Sequence, residues 1–258
     1  MSDQPFTRIA YHVHPPVARL ALHNPFLNII DIPMMEELSK AIADAEGRAD
    51  VSVLVLSGQN EVFSAGVDVA AHIPDKVEEM LTKFHAIFRA LVTSRKVLVA
   101  AVRGACLGGG AELVMMCDIV VTSEAATWGF PEITLGCFPP VAVTALAAVV
   151  GQKNAADLIL TGRKISGSEA RAMGLANVVV PNHQVKDQVD ELVGRLAKLS
   201  PAALAVTKRS MYVWNAMHFD KGLAGAEKIY LEELMRTEDA CEGVNAFLEK
   251  REPRWQGK

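Results

Sequence analysis

Three observations in the sequence predict an α/β fold built on a parallel sheet. The runs at 51–56, 97–102 and 119–122 are aliphatic and β-branched, as strands buried on both faces are. Between the first two, positions 77, 80, 81, 84, 87, 88 and 91 are Val, Met, Leu, Phe, Ile, Phe and Leu, one apolar face of a helix. An order of strand, helix, strand, helix, strand needs helical crossovers, and crossovers make neighbouring strands parallel.

Residues 8–22 alternate loosely, and Pro15-Pro16 in their middle predicts a hairpin of two strands. A loop at His23-Asn24-Pro25 follows. Met34, Leu38, Ala41, Ile42 and Ala45 then give a helix over about 33–45 its apolar face. Beyond the three buried strands the pattern changes. Ser166-Gly167-Ser168-Glu169 is a capping box, opening a short helix that ends at Met173-Gly174. A strand at 178–180 is closed by Pro181, and helices are expected at 184–199, from Ser200-Pro201, at 219–236 and at 239–250. The body is therefore α/β up to about residue 180 and helical after it, which divides the chain into an α/β core, 1–200, and a helical region, 201–258. In that region Met211 and Tyr212 read as core or subunit contact. Trp214, Met217, Phe219, Leu223, Ile229 and Leu234 are too apolar for a monomer's surface, so self-association is expected.

Composition narrows the function. Half of the 258 residues are hydrophobic, enough for a full core, which excludes wholesale disorder. With 26 basic and 30 acidic residues the net charge is −4, so no electrostatic footprint for nucleic acid is present. No apolar run approaches the roughly 20 residues of a membrane span. The start, from Met1 to Arg8, is polar and holds Pro5, unlike a secretory signal. Cys106, Cys117, Cys137 and Cys241 lack C-x-x-C spacing and read as reduced, buried thiols. A cytoplasmic protein is expected. His12 and His14 share a strand face, but no carboxylate or thiol nearby completes a metal set. No Gly-x-Ser-x-Gly elbow is present to support serine hydrolysis.

Four features could carry chemistry. Gly108-Gly109-Gly110 lies between a strand and a helix, where a ligand can approach the backbone and meet free N–H groups. A tight turn would explain it equally well. It is neither a Walker loop nor a dinucleotide fingerprint. Glu112 follows in the first turn of that helix, as a cap or as an acid–base group. Glu132 comes after Trp128-Gly129-Phe130-Pro131, in apolar surroundings that raise a carboxyl pKa. Phe63-Ser64-Ala65-Gly66-Val67-Asp68 offers further N–H groups after a second strand, or is an ordinary turn with Asp68 as a cap. Two carboxyls beside backbone donors are what proton transfer on a carbonyl compound requires.

Taken together, these segments resemble the enoyl-CoA hydratase/isomerase (crotonase) superfamily. The match runs through 63–68, through Gly108-Gly109-Gly110-Ala111-Glu112-Leu113 and through Met116-Cys117-Asp118-Ile119. It continues in Phe130-Pro131-Glu132-Ile133-x-Leu135-Gly136, in Leu160-Thr161-Gly162-x-x-Ile165-Ser166, in Gly174-Leu175-Ala176 and in Phe247-Leu248-Glu249-Lys250-Arg251. The resemblance implies a crotonase (ClpP-like) fold of repeated ββα units with a helical C-terminal trimerisation region, assembled as a trimer or a dimer of trimers. It implies an acyl-CoA thioester substrate, with coenzyme A as part of that substrate, and neither cofactor nor metal. It places the oxyanion hole at the Val67 and Gly109 N–H groups, which would stabilise a thioester enolate. Glu112 and Glu132, 20 residues apart, match the acid–base pair of the hydratase branch. Ala65, Gly66, Asp68, Gly108, Gly110, Trp128 and Phe138 are expected to contact substrate.

One departure narrows the substrate. Ordinary members continue from Leu-Gly into a glycine-rich segment, whereas here Leu135-Gly136 runs into Cys137-Phe138-Pro139-Pro140. That variant looks like the cyclohexa-1,5-diene-1-carbonyl-CoA hydratases of anaerobic benzoyl-CoA degradation. Asn24-Pro25-x-Leu27-Asn28 and Met34-Met35-Glu36-Glu37-Leu38 are similar to that group too. The competing readings are an acyclic 2-enoyl-CoA hydratase of β-oxidation, an enoyl-CoA isomerase and an RNA-binding member of the superfamily, the last disfavoured by the charge of −4.

Overall fold

The first two strands, β1 (Ile9–His14) and β2 (Val17–Leu22), form the expected hairpin around Pro15-Pro16, paired from Ile9 opposite Leu22 to His14 opposite Val17. A computed structural model describes residues 6–258, except the side chains of Trp214, Asn215 and Met217. The contribution expected of Trp214 and Met217 therefore lies outside the described residues. Helix α1 (Ile32–Gly47) starts at Asp31, whose carboxylate accepts the Met34 N–H at 2.9 Å. Strand β3 (Val53–Gly58), helix α2 (Pro74–Val92) and strand β4 (Val97–Val102) then form one crossover. The short strand β5 (Ala105–Leu107) leads into α3 (Gly109–Met115), followed by β6 (Ile119–Ser123).

From β2 onward, the main sheet is parallel in the order β2, β3, β4, β6, and it ends in β9 (Val178–Val180). Its two faces follow the two-residue period of a strand. Leu54, Leu56, Leu98, Ala100 and Val120 point into the main core with α1 and α2. Val53, Val55, Val97, Val99 and Val121 point the other way, against Val185, Val189 and Val193 of α7 (Val185–Leu196). Both faces are covered, which is why these strands read as unbroken apolar runs.

A second sheet was not foreseen. It joins β5, β7 (Thr127–Gly129) and β8 (Ile165–Ser166), with β5 parallel to β7. At two or three residues each, these strands are too short to show a period. Helices α4 (Pro140–Val150) and α5 (Gln152–Thr161) were also unassigned. Helix α4 is apolar almost all round, so it lacks the stripe by which a helix is recognised. The capping box is present: Ser166 accepts the Glu169 N–H at 3.2 Å, the Glu169 carboxylate accepts the Ser166 N–H at 2.9 Å, and α6 (Gly167–Met173) ends at Gly174 in the left-handed region.

The C-terminal part corrects two expectations. One helix, α8 (Pro201–Glu232), replaces the two expected, because neither Pro nor a cap interrupts it. It is followed by a 3-10 turn, Leu234–Arg236, and by α9 (Glu238–Leu248). Phe219, Leu223 and Tyr230 of α8 are buried in the chain's own core, so Phe219 and Leu223 are not a sticky surface, whereas Ile229 is 48% exposed. At the other end of α8, Lys208 is buried and donates to Asp118 and to the Lys96 carbonyl, both at 2.7 Å, tying the helix to β4. Among the four free cysteines, Cys106 and Cys137 are buried as expected, but Cys117 and Cys241 are half-buried. Among the described residues no helix is long and apolar enough to cross a membrane.

Candidate active site

Two loops meet where β3 and β5 end. One is 63–68 and the other turns at Gly108 into α3. Gly108 has φ +50° and ψ −128°, and Gly66 has φ +110°, conformations that L side chains rarely adopt. The loops are pressed together: a Cβ on Gly109 would lie 2.6 Å from Val67 Cγ2 and 2.8 Å from Phe84 Cζ. A Cβ on Gly110 would lie 2.8 Å from the Ser64 Cβ. The N–H groups of Val67 and Gly109, the pair expected to form an oxyanion hole, have no acceptor among the described residues. Their neighbours are occupied, since the Asp68 N–H goes to the Ile30 carbonyl, the Glu112 N–H to the Gly108 carbonyl and the Ala65 N–H to the Leu27 carbonyl.

Asn28, which sequence reasoning treated only as part of a motif, frames this arrangement. It is fully buried, and its amide donates to the carbonyls of Gln59, Val62 and Phe63 at 3.0, 2.8 and 3.2 Å. The Ser64 hydroxyl donates to the Asn28 carbonyl at 2.7 Å and accepts the Gly66 N–H at 3.1 Å. The loop carrying Val67 is thus held by buried hydrogen bonds rather than by regular structure.

Glu112 and Glu132 are brought to the same place. Glu112 is 2% exposed, and Oε1 accepts the Ala142 N–H at 2.9 Å, with the Val141 N–H also directed at the carboxylate. These donors belong to the first turn of α4, where Pro139 and Pro140 have no N–H to offer. Desolvation dominates and raises the Glu112 pKa, and the opposing hydrogen bonds come from α4 rather than from its own helix. Glu132 lies on a 3-10 turn, Pro131–Leu135, against Gly108, where an added Cβ would come within 2.6 Å of Oε1. Its Oε2 is buried with no hydrogen-bond partner among the described residues. Desolvation raises its pKa, as expected of its apolar surroundings, and the charge of Glu112 raises it further. Glu112 is thus anchored by the first turn of α4, whereas Glu132 Oε2 has no partner among the described residues.

The remaining candidates divide. Ala65, Gly66 and Gly108 border the free N–H groups. Gly110 is a close-approach position under Ser64. Asp68 caps a 3-10 turn, accepting the Ala70 N–H at 3.1 Å. Trp128 is 1% exposed, and its indole N–H donates to Thr122 at 3.1 Å. Phe138 is half-buried and stands edge-on to Tyr230 of α8 at 5.1 Å. Sequence reasoning missed Tyr230, because at i+7 from Leu223 it reads as one more core position. It expected α9 as a helix but not that α9 backs the turn carrying Glu132. A Cβ on Gly243 would fall 2.2 Å from the Leu135 carbonyl oxygen. A cavity of about 1010 Å³ lies between α3, α4 and α8, lined by Met115, Val143, Phe219 and Ile229; it includes Phe138 but neither glutamate. Among the described residues no three His, Cys, Asp or Glu side chains cluster as a metal ion would need.

Comparison with known proteins agrees with this geometry. The family model described as enoyl-CoA hydratase/isomerase matches residues 13–258. Cyclohexa-1,5-dienecarbonyl-CoA hydratase of Thauera aromatica is 34% identical over 242 residues, 93% of this chain and 93% of that protein. A probable enoyl-CoA hydratase of Bacillus subtilis is 34% identical over 248 residues, 94% of this chain and 96% of its own. The crystal structure of an enoyl-CoA hydratase from Mycobacterium avium subsp. paratuberculosis superposes with a TM-score of 0.89 at 25% identity, covering 98% of this chain and all of that one. Across nearly its whole length, in sequence and in fold, the chain belongs to the enoyl-CoA hydratase/isomerase family.

Proposed function

We propose that the protein is a hydro-lyase that adds water to cyclohexa-1,5-diene-1-carbonyl-CoA, giving 6-hydroxycyclohex-1-ene-1-carbonyl-CoA. The observation that carries this reading is the pair of buried carboxyls, Glu112 and Glu132, beside the free N–H groups of Val67 and Gly109. Glu112, anchored by the Ala142 N–H, takes a proton from water. The oxygen adds to ring carbon C2, β to the thioester carbonyl. Negative charge then develops on the carbonyl oxygen, where the Val67 and Gly109 N–H groups stabilise it. The second double bond extends the enolate to C5, and Glu132 delivers its proton there. One C–O and one C–H bond form, and the remaining double bond lies between C1 and C6.

The cyclic substrate is supported by Phe138-Pro139-Pro140. Pro139 and Pro140 are buried at the start of α4, and Phe138 is braced by the Tyr230 ring, so this wall is stiff and aromatic. The name of the Thauera relative supports the same substrate. A place in anaerobic aromatic degradation in the cytoplasm is part of the same proposal. An acyclic 2-enoyl-CoA hydratase is the second reading, supported by the name of the Bacillus relative. The test offers cyclohexadienoyl-CoA, cyclohexenoyl-CoA and crotonyl-CoA in ¹⁸O water, with products resolved by mass. Label in the cyclic product is expected; full-rate crotonyl-CoA hydration without it favours the second reading, and rearrangement without label an isomerase.

The same proposal includes self-association as a trimer or dimer of trimers. On α8, Val206, Met211, Val213 and Ile229 are 54%, 64%, 54% and 48% exposed, a concentration of apolar surface that a partner copy would cover. A monomeric mass by light scattering at micromolar concentration would contradict it.

A further inference from the structure

Among the described residues, four buried side-chain polar atoms have no hydrogen-bond partner, and two of them belong to this one site: Glu132 Oε2 and the Tyr230 hydroxyl. Tyr230 comes from α8, 1% exposed, far along the chain from the loops that build the rest of the site. Its ring lies at 71° to that of Phe138, and its hydroxyl stands beside the Cys137 thiol, within the fields of Glu132 and Glu112. A phenylalanine would fill the same space without burying an unpaired hydroxyl, and an unpaired buried hydroxyl is destabilising. Its presence calls for a ligand atom that pairs with it.

The two orphaned atoms are complementary. The Tyr230 hydroxyl donates, and burial beside the two glutamates keeps it protonated at any working pH. Glu132 Oε2 is likewise buried, and the charge of its carboxylate acts on the Tyr230 hydroxyl. What fits between a donor and two carboxyls is a water molecule, which accepts one hydrogen bond and donates two. We propose that Tyr230 is a further catalytic residue, whose hydroxyl donates a hydrogen bond to the oxygen of the water being added and holds it between Glu112 and Glu132. Tyr230 keeps its own proton throughout. The water proton goes to Glu112, and the carbon receives the Glu132 proton, so no additional reactant is needed. This rests on the hydratase reading but not on the ring of the substrate.

The decisive variant is Tyr230→Phe, which deletes one oxygen atom. It is assayed in ¹⁸O water on whichever thioester the wild-type enzyme hydrates. The expected result is a fall in kcat of about 10- to 100-fold, the loss of one or two factors of ten that a hydrogen bond in the transition state supplies. KM should stay within about twofold. The melting temperature should equal or exceed that of the wild type, because the free protein loses at most a weak contact with the Cys137 thiol. Full kcat in the variant would overturn the proposal, and so would a lower kcat accompanied by a lower melting temperature, which marks a structural prop. Cys137→Ala serves as the second variant. If it lowered kcat as much as Tyr230→Phe, the hydroxyl would be serving the thiol and the proposal would fall. A wild type that incorporates no label overturns the hydratase reading and this proposal with it. Label incorporation combined with full Tyr230→Phe activity overturns this proposal alone.

Discussion

Glu112 on α3 accepts the backbone N–H of Ala142 on α4 at 2.9 Å, although 30 residues separate them. The first turn of one helix therefore anchors a carboxylate presented by another. This bond and the unpaired Oε2 of Glu132 make two chemically identical side chains unequal. Desolvation pushes both towards the neutral acid; against it Glu112 has N–H donors from α4, whereas Glu132 has only its own backbone N–H and also feels the charge of Glu112. The proposed mechanism uses this inequality to separate a base from an acid.

Replacing either glutamate with Gln keeps its size and removes proton transfer. Glu112→Gln and Glu132→Gln should each lower kcat by about 10²–10⁴. Because both act on one transition state, the double variant should lose less than the product of the two single losses. Steady-state kinetics on the hydrated thioester checks this. Retention of more than about a tenth of kcat by both single variants would contradict the assignment, being far less than the loss general acid–base groups cause.

The raised carboxyls also make stability depend on pH. A glutamate whose folded pKa lies above its unfolded value binds its proton more tightly when folded. Stability is then fully present at or below the ordinary glutamate value of about 4.3 and is lost as pH climbs through the raised one. Glu132→Gln removes that loss. The variant's melting temperature relative to wild type should therefore rise between pH 5 and pH 8, at roughly 2–4 °C per kcal/mol in a protein of this size. A constant or shrinking difference would show that the carboxyl is not raised.

The Val67 N–H makes no hydrogen bond to the described protein, so removing it should cost function rather than structure. Val67→Pro should lower kcat by about 10²–10³. Val67→Ala keeps the N–H and should retain most activity. Circular dichroism and thermal melts identify a folded Val67→Pro protein; near-normal kcat in that protein would remove Val67 from the oxyanion hole.

Asn28 has φ 49°, and its amide serves three carbonyls. Asn28→Gly tolerates that backbone and deletes only the side chain. Leaving buried carbonyls unpaired should cost about 1–3 kcal/mol, read from denaturant unfolding. Because these bonds position the loop carrying Val67, kcat should fall as well, measured well below the melting transition. Loss of stability with unchanged kcat would confine Asn28 to the fold.

What the sequence by itself determined was local. The buried strands, the helix α2, the capping box at Ser166 and the Ser200 cap are each written in a few neighbouring residues, and each formed where expected. The glycines at 66 and 108 and the two glutamates were also legible, because backbone freedom and apolar flanks are sequence properties. Tertiary structure decided the rest. It made α8 one helix, because a helix continues until something stops it, and nothing in the sequence does. It paired the Trp128 indole with Thr122 across a strand turn, a contact no local pattern announces. It set the unequal environments of Glu112 and Glu132, because a carboxyl responds to burial and donors within a few ångströms, and those donors come from α4. It also brought in Tyr230, some 100 residues beyond Glu132, since a side chain on an apolar helix face becomes chemical only when packing places it beside a charge.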